Sequence, residues 1–202
     1  MSSLFRKFFG TSNDDTVDIN NDVKSPYLPE SSLPIDDQFT LHFKKNGGKF
    51  IYCENLNEVS ENFENILAEN DWFEKEVLCF DSKLYKLLEE NRLTPESKNS
   101  KATFFLTSCE NLVADEGSIL FSSNQFKNFK PNELPTNMIV FATTSQITST
   151  KGDGLRRIKK VHEKNYPSNI TTIKYFEEVK EQDFLHYGSC HKNLYLLLLE
   201  DL

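Results

Sequence analysis

The sequence predicts an α/β fold built on a Rossmann-like, mostly parallel sheet, and three observations point there. Apolar runs alternate with amphipathic helical segments in the order strand–helix–strand–helix–strand between residues 49 and 107. A last apolar run, residues 194–199, reads as a buried strand close to the end of the chain. The length of 202 residues suits one full domain. If about 165 residues fold, roughly 70% of the unfolded surface is buried, and no metal or disulfide is needed to hold the core.

The elements follow in order. Residues 38–45 carry apolar side chains at 39, 41 and 43, which suits a strand, yet the same stretch suits a helix ending at Gly47-Gly48. Lys49-Phe50-Ile51-Tyr52-Cys53 is a buried strand. Residues 57–70 place Val59, Phe63, Ile66 and Leu67 at helical spacing, with charge between them. Residues 76–80 form a short apolar run, and residues 82–91 are helical, with Leu84, Leu87 and Leu88 on one side. Residues 101–107 read as a strand. Past Ser108 the pattern changes. Strands over 118–122 and 137–143 flank a polar loop with Asn128, Pro131, Asn132 and Pro135. Residues 152–164 read as a helix and 171–175 as a strand. No internal repeat of fixed period is present.

Composition limits the functions. A net charge of −8 argues against nucleic-acid binding, which needs a basic footprint. Residues 1–40 hold three basic and seven acidic groups, a net of −4, so half the imbalance lies there. The four cysteines, Cys53, Cys79, Cys109 and Cys190, stand singly with no Cys-x-x-Cys pair. They read as buried free thiols of a reducing compartment, with no local zinc or iron–sulfur motif. No segment has the 18–20 or so apolar residues that span a bilayer. The first ten residues are no signal peptide, because Arg6 and Lys7 break a short apolar run. The expected location is the cytoplasm.

The organisation expected is threefold. Residues 1–10 form a short amphipathic segment with Leu4, Phe5, Phe8 and Phe9 on one helical stripe, suited to peripheral contact with a membrane surface or a partner groove. Residues 11–37, rich in Asp, Asn, Ser and Pro, read as a flexible acidic linker. The folded domain spans residues 38–202.

The stretch Ala114-Asp115-Glu116-Gly117-Ser118 joins apolar runs. Its two carboxylates follow the strand ending at Thr107, and ligands of open α/β sheets bind at the carboxyl ends of strands. A carboxylate there can serve as base, nucleophile or cation ligand. The same residues also make a tight turn, with Gly117 supplying a positive φ. A second candidate is Lys151-Gly152-Asp153-Gly154-Leu155-Arg156-Arg157. Residues 151–164 hold six basic and two acidic groups, a net of +4. Glycines before a helix start, followed by Arg156 and Arg157, can present N–H groups and cations to a phosphate or carboxylate. A solvated basic helix face has the same composition. His42 and His162 stand alone and read as structural histidines. His186 and His191 lack a third local metal ligand.

Leu112-Val113-Ala114-Asp115-Glu116-Gly117-Ser118-Ile119-Leu120 resembles the acidic-residue/Thr-Gly-Thr turn of the lactate-utilisation (LUD) domain family. Leu134-Pro135-Thr136-Asn137-Met138-Ile139-Val140-Phe141 resembles that family's Leu-Pro-x-x-His-Ile strand, continued by Ser145-Gln146-Ile147. Residues 190–198 stand where the family has its final apolar strand. The resemblance covers roughly residues 38–202, two-thirds of it by pattern alone. It implies a LUD-like α/β domain with the fold of sugar-phosphate isomerases and CoA-transferases, the sheet carrying an appended antiparallel element. It also implies association with lactate oxidation beside iron–sulfur or cysteine-rich redox subunits.

This sequence departs from the family pattern. Asp115 takes the place of the family's glutamate, Glu116 stands where threonine is usual, and Asn137-Met138 replaces the x-His pair. The Gly-Pro-Ser-Arg stretch expected near residues 171–180 has neither arginine nor glycine here. Tyr187-Gly188-Ser189-Cys190-His191 replaces Gly-Val-His-Gly-Pro. The leading expectation is therefore a non-catalytic accessory component with no cofactor of its own and no metal site. One alternative is a binder or enzyme for an anionic acyl or sugar-phosphate ligand. In it Asp115 and Glu116 are the acid/base groups, Gly117 and Ser118 line the ligand, and Arg156 and Arg157 clamp its charge. The other is an adaptor docking through residues 1–10.

Overall fold

A computed structural model describes residues 33–96, 102–176 and 192–201 of the chain. The expected amphipathic segment, most of the expected linker, and Cys190, His186 and His191 lie outside these residues.

Helix α1, Ile35–Lys45, begins three residues ahead of the expected domain start at residue 38. Asp36 and Asp37 in its first turn and His42, Lys44 and Lys45 in its last complement the helix dipole. The helical alternative for this stretch is the one realised. Phe39 and Phe43, one turn apart, are fully buried with ring centroids 5.4 Å apart, whereas Leu41 is 55% exposed. A strand would have turned all three to the same face. The chain leaves α1 through Gly47 at φ 85.

Strand β1, Lys49–Cys53, leads to helix α2, Leu56–Asn70, capped by the Asn55 side chain at the amides of Asn57 and Glu58. Strand β2 is Val77–Leu78, helix α3 Tyr85–Glu90, strand β3 Pro95–Glu96 and strand β4 Phe104–Ser108. Strand β5, Asn111–Val113, turns back as β6, Ser118–Ser122. Helix α4, Ser123–Phe126, and strand β7, Asn137–Thr143, follow. Strand β8 is Ile147–Thr148, helix α5 Lys151–Val161, strand β9 Ile170–Ile173 and strand β10 Asn193–Leu199.

Six strands form one parallel sheet in the order β1-β10-β7-β4-β2-β3, and four form a second sheet, β8-β5-β6-β9, with antiparallel β5–β6 and β6–β9 pairs. The expected fold class, a mostly parallel sheet with an antiparallel addition, is what the chain adopts. Alternation along the strands sorts the core into layers. Phe104, Leu106, Ile139, Tyr195 and Leu197 face α2 with Val59, Phe63, Ile66 and Leu67. Phe105, Met138, Val140, Leu196 and Leu198 face the other way, against Phe39 and Phe43 of α1 and Leu112, Ile119 and Phe121 of the second sheet. A Rossmann-like sheet carries helices on both faces, but here the second sheet covers much of one of them. Its own outer side, Val113 and Leu120, packs on Ile158 of α5.

Two readings need correction. Strand β5 stands between β4 and the acidic turn, so Asp115 and Glu116 follow β5 and lie at a hairpin of the second sheet, away from the carboxyl end of β4. A three-residue strand carries too little pattern to be seen in sequence. Gly152 and Gly154 do not precede the helix start; they lie inside α5, whose cap is Thr150. Among the described residues no helix is long and apolar enough to cross a membrane. Nor does any group of three or more His, Cys, Asp or Glu side chains there fit a metal ion.

Candidate functional site

The Asp115–Gly117 turn is built as a joint between elements. The amides of Ala114 and Asp115 donate to the carbonyls of Thr148 and Ser149 at 2.9 and 3.1 Å, which extends the β5–β8 pairing to the start of α5. Against the other side lies the end of α1. The His42 ring donates from Nδ1 to the Ala114 carbonyl at 2.7 Å, which fixes its tautomer. Asn46 Nδ2 donates to the carbonyls of Glu116 and Gly117 at 2.7 and 3.2 Å. Gly117 has φ 60, and a Cβ there would stand 2.3 Å from the His42 carbonyl carbon and the Phe43 nitrogen. Both the positive φ and the backbone approach require glycine.

The carboxylates themselves are differently placed. Asp115 is exposed, Glu116 is half-buried, and Glu116 Oε2 accepts from the buried Ser118 hydroxyl at 3.2 Å. The turn therefore abuts the start of α5, but the arginines of that helix are turned elsewhere. Arg156, with a side chain 77% exposed, pairs with Asp153 one turn back. The Thr150 hydroxyl, and after it that arginine, hold the Asp153 carboxyl below its usual range. Arg157 donates to the carbonyl of Ser145, in the short turn after β7. Gly154 is a packing glycine, since a Cβ would come within 2.6 Å of Leu120 Cδ1. Of the six predicted site residues, Asp115, Glu116, Gly117 and Ser118 thus share one turn and strand start, whereas Arg156 and Arg157 bond to Asp153 and Ser145.

Polar side chains do converge at the carboxyl ends of the parallel strands, and sequence reasoning passed over most of them. After β2, Asp81 Oδ2 accepts from the hydroxyl of Ser108, the last residue of β4, at 2.7 Å, and Oδ1 accepts from the Lys83 amide at 3.0 Å. After β10, the Asp201 carboxylate accepts from the Ser145 amide and hydroxyl at 2.8 and 2.7 Å and from the Thr144 hydroxyl at 3.0 Å. Burial alone would raise the Asp201 pKa, but these hydrogen bonds outweigh it and hold the carboxyl below its usual range. Between β4 and β5, Glu110 accepts from Ser122 Oγ at 2.6 Å and Gln125 Nε2 at 3.2 Å, and pairs with His162 Nε2 at 2.9 Å. Here too burial raises the pKa, and the bonds from Ser122, His162 and Gln125 reverse it to a net lowering. His42 and His162 are structural histidines, as expected. Ser122 and Gln125 form a capping box at α4, and the Ser-x-x-Gln spacing was the signal that could have located them.

Cys53, Cys79 and Cys109 are buried free thiols. Burial pushes Cys53 and Cys79 up to about 11 and raises Cys109 as well, so none is a thiolate nucleophile at neutral pH.

A family model described as LUD domain matches residues 70–198. The match runs from the end of α2 into β10 and includes Asp115, Glu116, Gly117, Ser118, Arg156 and Arg157. No curated protein matches the chain. Among solved structures, the chain is similar to the crystal structure of a DUF162 family protein from Deinococcus radiodurans. The two share 14% identity and a TM-score of 0.58 over 82% of this chain and 96% of that one. At this identity the likeness concerns the fold.

Proposed function

Because the chain belongs to the LUD domain family, we propose that it serves as a non-catalytic accessory component of lactate oxidation, working beside redox subunits. One observation carries the non-catalytic part of this reading. The turn that resembles the family's acidic motif has its carbonyls taken up by His42 and Asn46, so its main work is to dock α1 on the second sheet. Arg156 and Arg157, engaged with Asp153 and Ser145, support the same reading. The link to lactate comes from the family.

The experiment is growth on lactate of a host lacking this chain. Growth is expected to be impaired, and restored equally by the wild-type chain and by the charge-neutral double variant Asp115→Asn/Glu116→Gln. Unimpaired growth would contradict the link to lactate. In the rival reading Asp115 or Glu116 is an acid/base group, and Arg156 or Arg157 clamps an anionic acyl or sugar-phosphate ligand. That reading predicts that the double variant fails to restore growth.

A further inference from the structure

The order of strands identifies a crevice that none of the motifs marks. From β2 the chain passes through α3 to β3 on the outer edge of the sheet. From β4, the neighbour of β2 on its other side, it moves the opposite way to β7 and then β10. Connections that leave two adjacent parallel strands in opposite directions open a gap at their carboxyl ends, and open α/β sheets bind ligands in that gap. In this chain the gap lies between β2 and β4, where Asp81 and Ser108 meet at 2.7 Å.

Three features set this pair apart from the other carboxylates of the same edge. First, Asp81 and Ser108 are each half-buried, accessible yet fixed. Second, Asp81 keeps acceptor capacity. A carboxylate has about four lone-pair sites, and Asp81 accepts one hydrogen bond on each oxygen. Glu110 and Asp201 are each enclosed by three or more donors. Third, Phe80, the residue before Asp81 in the chain, is half-buried and stacked on Phe129, with centroids 5.8 Å apart, so the backbone leading to Asp81 is anchored by ring packing.

We propose that the crevice between the carboxyl ends of β2 and β4 binds a neutral ligand carrying vicinal hydroxyls, of the sugar class. Asp81 accepts its hydroxyl protons and Ser108 turns to complete the contact. Among the described residues no basic side chain is ion-paired with Asp81, and such a carboxylate repels a phosphate or carboxylate ligand, whereas it strengthens hydrogen bonds from hydroxyl donors. The site is separate from the Asp115 turn and independent of the accessory reading.

The test is a titration of the full chain followed by amide NMR, with D-ribose as the vicinal-diol probe and inorganic phosphate as the anion probe. Ribose is expected to shift the Asp81, Lys83 and Ser108 amides saturably. Asp81→Asn, which keeps the shape and the cap of the following turn, should weaken that response at least about fivefold, the difference between a charged and a neutral hydrogen bond. Ser108→Ala should weaken it without altering the fold. Absence of saturable ribose shifts at these amides, a response unchanged in Asp81→Asn, or phosphate binding in their place would each overturn the proposal.

Discussion

Gly117→Ala is expected to destabilise the protein by about 3 kcal/mol, summing the left-handed penalty for a non-glycine residue and the cost of overpacking. A loss of that size lowers Tm by roughly 10 °C in a domain of this length. The backbone at Gly117 holds φ 60, and the added methyl would meet the His42 carbonyl carbon and the Phe43 nitrogen at 2.3 Å. Those are backbone atoms of a helix whose Phe39 and Phe43 are fully buried, so α1 must shift away from the second sheet. Gly152→Ala is the control. A Cβ at Gly152 meets only side-chain atoms at 3.7 Å and beyond, and alanine favours the helix. It should leave stability unchanged or raise it by about 0.5–1 kcal/mol. Urea unfolding of both variants checks the pair, and equal stability of the two would refute the joint described for Gly117.

Removal of the Glu110 carboxylate carries the second large effect. Its side chain is 9% exposed and serves Ser122, Gln125 and His162, itself 24% exposed. Glu110→Ala leaves these groups without their acceptor in a desolvated place, which should cost about 3 kcal/mol. The same network sets a pH dependence. The folded pKa lies below the ordinary value of 4.5, so the unfolded chain takes up the proton first as pH falls. The stabilisation is therefore complete above about 4.5 and is lost as pH drops through the folded pKa. Asp201, also lowered, contributes with the same sign. Denaturant unfolding at about pH 7 and about pH 4 should show wild-type losing more stability than Glu110→Gln between the two. Identical losses would mean that Glu110 is not the group responsible.

The contrast between these positions shows what could be read from sequence. Strands β6 and β7 are apolar runs bounded by polar residues, and both fall on the expected residues. Helix α2 follows from the spacing of Val59, Phe63, Ile66 and Leu67. Strands β3 and β8, two residues each, and β5, three residues, are shorter than any periodic signal. They exist because neighbouring strands offer them partners. The site suffered more, for a physical reason. Asp81 meets Ser108 across 27 residues, and Glu110 meets His162 across 52, pairings fixed by the sheet order. Asp115-Glu116-Gly117-Ser118 was conspicuous because its chemistry is local, and its structural work is local too. Ligands of open α/β sheets bind beyond the carboxyl ends of parallel strands, but β5 places the acidic turn at a hairpin of the second sheet, away from that edge.

The claim that the acidic turn is a structural joint is tested most directly by comparing the urea unfolding of Asn46→Ala with that of Asp115→Asn/Glu116→Gln. Asn46→Ala removes both side-chain bonds to the turn and should cost about 1–2 kcal/mol. The double variant keeps every hydrogen-bonding oxygen and should stay within about 0.5 kcal/mol of wild type, as surface substitutions do. A stable Asn46→Ala together with a strongly destabilised double variant would contradict the account, placing the work of the turn in its carboxylates.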